Sequence, residues 1–148
     1  MSSLQPQLSG HSLVLYDGVC GLCNRFVQFV LRRDGAAYFR FCALQDPISL
    51  EILARHHLGP LILNTICLVT HFGTPQERLL THSDAVIEVF HSLGGGWRLV
   101  AAALKIIPRP LRDLGYHLVA NVRYRIFGRL PTCPLPTLAQ RDRFIRST

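Results

Sequence analysis

Two cysteines separated by two residues, Cys20-Gly21-Leu22-Cys23, have the spacing of a dithiol redox site. They follow an apolar run at 13–16 and a turn at Asp17-Gly18, and they precede an amphipathic segment of helical periodicity. The first turn of a helix has backbone N–H groups without an intrahelical acceptor, and the helix dipole adds partial positive charge there. Both effects favour a thiolate, the reactive form of cysteine. The spacing also places the two thiols on one helix face, close enough for a disulfide.

The same pair could instead bind a metal ion or lie inert in a core. A structural zinc site usually has a second pair of closely spaced ligands. Here Cys42, Cys67 and Cys133 are isolated, and the adjacent pair His56-His57 has a poor spacing for one metal. A metal site would need a third ligand, such as Cys133 or a histidine. The sequence favours a dithiol, and we expect no bound metal or other cofactor.

The order of the two cysteines predicts their roles in thiol-disulfide exchange. Cys20 is closest to the helix terminus, and we expect it to be the more exposed thiol and the attacking one. Cys23, one turn deeper, would resolve the mixed disulfide and release the reduced product. The sequence therefore predicts a thiol-disulfide oxidoreductase of the protein-disulfide reductase type. Its substrate would be a disulfide-containing protein or a low-molecular-weight thiol compound.

Three further residues could contribute to this chemistry. Asp17, three residues before Cys20, could accept backbone N–H groups in the turn or take a proton from Cys23 during resolution. Arg25 could place positive charge at the rim of the site, although exposure on a helix also explains it. Cys133, in a proline-rich tail, could be a third redox thiol or only an exposed one.

Local periodicity predicts the order strand, helix, strand, helix, strand, strand, helix, followed by appended helices. The predicted strands are 13–16, 38–44, 65–70 and 78–81. The predicted helices are 24–33, 49–56 with a cap at Ser49, one capped by Ser83, 97–107 and 111–127. This order is that of the thioredoxin fold, an α/β fold with a four-stranded mixed sheet.

The length of 148 residues and the apolar content of 49% favour one folded domain. We divide it into an N-terminal tail (1–12), a thioredoxin-like core (13–96), a C-terminal helical extension packed on the core (97–130) and an irregular tail (131–148). No segment reaches transmembrane length, and the first ten residues lack the apolar segment of a secretory signal. We therefore expect a cytoplasmic protein.

The net charge of +7 is concentrated in the last third of the chain, which carries ten Lys or Arg and two acidic residues from position 97 onward. A solvated helix face explains this excess. Alternatively, residues 97–146 could dock an acidic protein or an anionic membrane surface, which would make the chain a binding module. Nucleic acid is disfavoured because no recognised motif accompanies the charge. Arg123, Arg125 and Arg129 could form such a surface or pair with core acids such as Asp17.

The run 16–24, Tyr-Asp-Gly-Val-Cys-Gly-Leu-Cys-Asn, resembles the signature of the DCC family of thiol-disulfide oxidoreductases, named for its Asp, Cys and Cys. The resemblance extends over about 13–134. Its other parts are Arg32-Arg33-Asp34, Ser83-Asp84-Ala85, the segments 107–113 and 121–129, and a following cysteine, Cys133. It implies a thioredoxin-like fold and dithiol–disulfide exchange, without naming a substrate. One departure from the wider superfamily is that Asn64-Thr65 stands where those proteins carry a cis-proline.

Overall fold

Alternating strands and amphipathic helices build a four-stranded mixed sheet with helices on both faces. A computed structural model describes residues 9–58, 65–129 and 137–146. The strands are β1 (Ser12–Tyr16), β2 (Phe39–Ala43), β3 (Cys67–Thr70) and β4 (Arg78–Thr81). The helices are α1 (Gly21–Arg33), α2 (Pro47–Arg55), α3 (His82–Leu93), α4 (Gly96–Ile106) and α5 (Arg109–Phe127), and a 3-10 helix spans Leu138–Arg143.

The strand order in the sheet is β2-β1-β3-β4. β1 and β2 are parallel and are joined by α1, whereas β1 pairs with β3, and β3 with β4, in antiparallel fashion. The carboxyl ends of β1 and β2 therefore meet at one edge of the sheet. This topology confirms the predicted fold class, a thioredoxin-like α/β fold with a four-stranded mixed sheet.

The core lies in two layers, one on each face of the sheet, because successive side chains of a strand point to opposite faces. On one face Val14 and Tyr16 of β1 pack against α1 and α3, in the layer that also contains both cysteines of the Cys-x-x-Cys pair. On the other face Cys42 and Cys67 pack with residues of α2. Both of these thiols are buried, as is usual for free cysteines that pack as small apolar side chains.

Two predicted helix caps were wrong. α2 begins earlier than Ser49, because the Asp46 carboxylate caps the helix and a proline occupies its first turn. The Ser49 hydroxyl instead donates to the Ala43 carbonyl oxygen at 2.7 Å. α3 begins at His82, and the Ser83 hydroxyl donates to the carboxylate of Asp113 rather than capping its own helix. In both cases the serine hydroxyl that we expected to cap its own helix donates instead to an acceptor outside that helix.

The C-terminal helices pack against α1 and α3 and leave one face open. The Trp97 ring lies 4.8 Å from the Phe29 ring and 5.5 Å from the Phe90 ring, which joins α4 to both core helices. The periodic apolar side chains from which this last helix was predicted are partly or largely exposed in α5, with exposed fractions from 37% to 67%. They are Leu111, Leu114, Leu118, Val122 and Ile126. Within the described ranges, none of the helices combines the length and the hydropathy needed to cross a bilayer.

Candidate functional site

The connection from β1 to α1 positions the cysteine pair through a closed turn. The Cys20 backbone N–H donates to the Asp17 carbonyl oxygen at 3.2 Å. The Asn24 side-chain amide, one helical turn into α1, donates to the carbonyl oxygens of Gly18 and Cys20, both at 2.9 Å. These bonds join both ends of the turn to the first turn of the helix, so the start of α1 is held in one place relative to β1.

Cys20 is the N-cap residue of α1, and Cys23 lies in the first turn. The Cys20 sulfur accepts the backbone N–H of Cys23 at 3.4 Å, and both residues are free thiols. A backbone N–H and the positive end of the helix dipole together stabilise negative charge on this sulfur. The arrangement is the one that the sequence predicted from the spacing and from the helix that follows it.

Neither thiol is open to solvent, and the prediction that Cys20 is the more exposed was wrong. The exposed fraction is 0% for Cys20 and 3% for Cys23. The reason is a tertiary contact from the end of α5, which the local pattern around the cysteines does not contain. Cys20 pairs with Arg129 in an isolated antiparallel bridge, so extended backbone lies directly beside Cys20.

We call Phe127-Gly128-Arg129 the covering segment. The Gly21 backbone N–H donates to the Gly128 carbonyl oxygen at 3.2 Å. A Cβ atom at Gly21 would lie only 2.3 Å from the Phe127 carbonyl oxygen, so this close approach requires glycine. Gly128 itself has φ of 81°, a conformation that ends α5 and turns the chain toward the cysteines.

Cys23 is protonated at neutral pH. Burial raises its pKa from the ordinary value of 9.0 to about 12, and the charge of Cys20 and the hydrogen bond with it add to this shift. The positive charge of Arg123 and a hydrogen bond with the Asp17 backbone act in the opposite direction but do not cancel it. Cys23 therefore needs to lose a proton before it can attack a disulfide.

The buried Asp17 carboxylate joins three parts of the fold. Its Oδ1 accepts the Val19 N–H at 3.1 Å and the Gln45 amide at 2.8 Å, which ties the turn to the end of β2. Its Oδ2 accepts Nη2 of Arg123 at 3.3 Å and the Tyr124 hydroxyl, both from α5. The covering segment begins three residues after Tyr124, so Asp17 anchors the part of α5 that leads to it.

Sequence reasoning named Asp17 and Arg123, and it proposed their pairing as one of two options for Arg123. It missed Gln45 and Tyr124 as partners of the carboxylate. A signal for Gln45 was present, since it follows β2 and the carboxyl ends of parallel strands meet at one sheet edge. For Tyr124 the signal was only its position next to Arg123. Burial is the larger cause and the hydrogen bond to Asp17 the next of a raised pKa at Tyr124. This hydroxyl therefore stays protonated and acts as a donor.

Two of the other predicted residues, Arg25 and Arg129, contact the covering segment or belong to it. Arg25 is exposed, and its guanidinium lies over the Phe127 ring, 5.5 Å from the ring centroid, so it contacts the covering segment. The Arg129 guanidinium lies over the Tyr124 ring at 5.5 Å. Cys133 falls outside the described residues. Among the described side chains, no three His, Cys, Asp or Glu residues cluster closely enough to hold a metal ion.

Comparison with known proteins identifies the family to which the chain belongs. Residues 14–129 match the model of the DCC1-like thiol-disulfide oxidoreductases. The chain is 33% identical over 133 residues to the uncharacterized protein YuxK of Bacillus subtilis (strain 168), covering 90% of this chain and 93% of that protein. It is 34% identical over 123 residues to the DCC family protein At1g52590, chloroplastic, of Arabidopsis thaliana, covering 83% and 69%. No solved structure matches the chain. The chain belongs to the DCC1-like thiol-disulfide oxidoreductase family.

Proposed function

We propose that the chain is a dithiol oxidoreductase of the protein-disulfide reductase type, in which Cys20 attacks and Cys23 resolves. One observation carries most of the proposal: the Cys20 sulfur sits at the N-cap of α1 and accepts the Cys23 N–H. This position stabilises the negative charge that an attacking thiolate needs. Membership of a thiol-disulfide oxidoreductase family supports the same chemistry.

The reaction would proceed in two exchange steps. The Cys20 thiolate attacks one sulfur of the substrate disulfide, which forms a mixed disulfide and releases the first substrate sulfur as a thiol. Cys23 then loses its proton and attacks the Cys20 sulfur, which breaks the mixed disulfide and releases the second substrate thiol. The substrate gains two electrons and two protons, and the protein is left with a Cys20–Cys23 disulfide.

In this mechanism Asp17 is a positioning residue. Its carboxylate oxygens accept hydrogen bonds from four groups, which hold α5 beside the turn that carries Cys20. Because Cys20 lies under the covering segment, a large substrate reaches it only when that segment moves. The contacts of Asp17 with Arg123 and Tyr124 would then control how readily the segment leaves, and they would affect the rate without touching the reacting sulfurs.

A trapping experiment tests the assignment of the two cysteines. A Cys23→Ser variant should accumulate mixed disulfides on Cys20, because the first step proceeds and the second cannot. The matched control is Cys20→Ser, which should neither turn over a model protein disulfide nor form mixed disulfides with it. Full turnover by Cys23→Ser without trapped intermediates, as read by mass spectrometry, would refute the mechanism.

A second candidate function is docking through the C-terminal helices. The exposed apolar side chains of α5 lie in the C-terminal third of the chain, which also carries most of its Lys and Arg residues. An apolar face flanked by basic side chains is the pattern of a helix that lies on an anionic membrane surface. We assign this face to an anionic bilayer rather than an acidic protein, because the apolar groups would be buried among lipid chains while exposed arginines such as Arg125 reach the headgroups.

A further inference from the structure

An apolar cavity of about 440 Å³ lies between α1, α3, α4 and α5, and Cys23 forms part of its wall. Its apolar lining includes Leu22, Phe26, Val86, Ile87, Leu104 and Val119. Volumes in this range are typical of sites that bind small molecules, and so is a mainly apolar wall with a few placed polar groups. The cavity therefore brings a small-molecule-sized space to one of the two redox thiols.

The cavity approaches the dithiol from the side of Cys23. Cys20 is absent from its wall and lies under the covering segment, with an exposed fraction of 0%. A group bound in the cavity therefore lies beside Cys23 without any movement of the covering segment. This route differs from the one that a large substrate would need to reach Cys20.

The polar side chains in the wall are already engaged within the protein. Arg112 pairs with Asp84 at 3.2 Å and Arg123 pairs with Asp17 at 3.3 Å, so each arginine has an acidic partner. The Tyr116 hydroxyl is hydrogen-bonded to the Thr65 hydroxyl and to a backbone N–H. A carboxylate entering the cavity would lose its hydration without gaining an unopposed cation, which is unfavourable. The wall therefore suits a neutral, apolar ligand.

We propose that this cavity binds a small, neutral, apolar thiol that delivers electrons to the oxidised protein by exchange at Cys23. The proposal rests on the proposed function, because it assumes that Cys20 and Cys23 form a working disulfide. It assigns different routes to the two reaction partners. The protein substrate exchanges at Cys20, and the small reductant exchanges at Cys23.

The exchange balances as follows. The ligand enters as a neutral thiol and gives up its proton to water as its sulfur attacks the Cys23 sulfur; the Cys20–Cys23 bond breaks, and the electron pair of that bond passes to the Cys20 sulfur. Since the Cys20 sulfur accepts the Cys23 N–H at the start of α1, the charge it receives is stabilised there. A second ligand thiol then attacks the ligand sulfur of the mixed disulfide, and Cys23 leaves and takes up a proton. Two ligand thiols are oxidised to one disulfide, and the protein is returned to its dithiol form.

The test compares two thiols of similar reactivity, benzyl mercaptan and its para-carboxylated analogue, as reductants of the oxidised protein. Thiol content is followed by acid quenching, alkylation and mass spectrometry, and each rate is divided by the rate of that thiol with a small reference disulfide. We expect the neutral thiol to react about tenfold faster or more, because the carboxylate is not solvated in the cavity. Equal corrected rates would overturn the proposal.

Filling the cavity gives a second test. Gly115 lines it within α5, and a Cβ atom there would meet nothing within 4 Å, so a leucine can extend into the space. Gly115→Leu should remove most of the preference for the neutral thiol while leaving the rate with the carboxylated thiol within about twofold. Asn121→Leu adds the same side chain to an exposed position of the same helix, outside the cavity, and should change neither rate.

A second cavity variant is needed in case Gly115→Leu does not fold. A separate redox titration distinguishes failure of the cavity proposal from failure of the proposed function. Val119→Phe also projects bulk into the cavity wall and should reproduce the effect of Gly115→Leu. If neither variant slows the neutral thiol although both are folded by circular dichroism, the proposal is wrong. If the pair still forms a disulfide reversibly in dithiothreitol buffers, only the cavity inference fails. If the pair forms no disulfide in those buffers, the proposed function fails with it.

Discussion

The buried ion pair of Asp17 and Arg123 holds the turn before Cys20 against α5. Both side chains are almost fully buried, and the pair links the turn after β1 to α5. Removing one member of a buried ion pair leaves the other charge without compensation, which costs more than the pair contributes. The stability of the fold near the cysteines should therefore depend strongly on these two residues being present together.

Replacement of Arg123 should be strongly destabilising. We expect Arg123→Met to lower the free energy of unfolding by about 3–5 kcal/mol, because the buried Asp17 carboxylate loses its ion-pair partner. Arg125→Met, an exposed position of the same helix, is the control and should change stability by no more than about 0.5 kcal/mol. Urea unfolding measures both variants. Equal urea midpoints for the two variants would show that the Asp17–Arg123 pair does not contribute this much to stability.

The pKa of Cys67 predicts how stability depends on alkaline pH. Burial raises it from 9.0 to about 12. Above pH 9 the unfolded chain loses the thiol proton and the folded chain keeps it, so the unfolded state binds fewer protons and stability falls as pH rises. Each such thiol contributes a slope of up to about 1.4 kcal/mol per pH unit in this range. Cys67→Val should lose less stability than the parent between about pH 8 and pH 10, and parallel losses in urea unfolding would contradict this.

At the scale of elements, the contact between α1 and the end of α5 decides how accessible Cys20 is. The two elements meet where Gly21 faces the Phe127 carbonyl oxygen, with no room for a side chain. A methyl group there should push the covering segment away from the start of α1. This contact joins residues distant in the chain, and neither partner shows it by composition or periodicity alone.

Gly21→Ala tests this contact. We expect the free energy of unfolding to fall by about 1–3 kcal/mol, the usual cost of overpacking. We also expect iodoacetamide to alkylate Cys20 faster, because the covering segment is displaced. Gly35→Ala is the matched control, since a Cβ at Gly35 meets nothing within 4 Å. If Cys20 is alkylated at the same rate in both variants, as read by peptide mass spectrometry, the segment does not control access.

The elements themselves could be predicted from the sequence, and their long-range contacts could not. The strand and helix order follows from local apolar periodicity, and the position of Cys20 at a helix start follows from the turn before it. The burial of Cys20 depends on Arg129, more than a hundred residues away, and no local pattern encodes that pairing. The caps assigned to Ser49 and Ser83 failed for a related reason, since each hydroxyl has an acceptor elsewhere in the fold.

At the scale of the whole molecule, charge and exposed apolar surface coincide in the C-terminal helices. The last third of the chain carries ten basic and two acidic residues, and α5 exposes apolar side chains at helical spacing. This combination predicts a molecule with one face suited to an anionic interface. The Cys20–Cys23 pair lies on the side of α5 that contacts α1, so docking would leave these thiols within the protein.

Vesicle binding tests this docking face. The protein should sediment with vesicles containing phosphatidylserine and not with pure phosphatidylcholine vesicles, and salt should weaken the binding. A Leu114→Glu/Leu118→Glu variant should bind less, because it places charge on the apolar face. Gln76→Glu, an exposed position in the β3–β4 connection, is the charge control. Binding to a polyglutamate resin without binding to vesicles would assign the face to an acidic protein instead.

The proposed exchange requires Cys20 and Cys23 to form a reversible disulfide, and the reduction potential of the pair tests this requirement. The protein would be equilibrated in glutathione buffers of graded potential, and its free thiols counted by alkylation and mass spectrometry. We predict one reversible two-electron transition that maps to these two residues and is lost in Cys20→Ser, while Cys42→Ser leaves it unchanged. If the thiols of Cys20 and Cys23 form no disulfide at any potential, the proposed exchange mechanism is wrong.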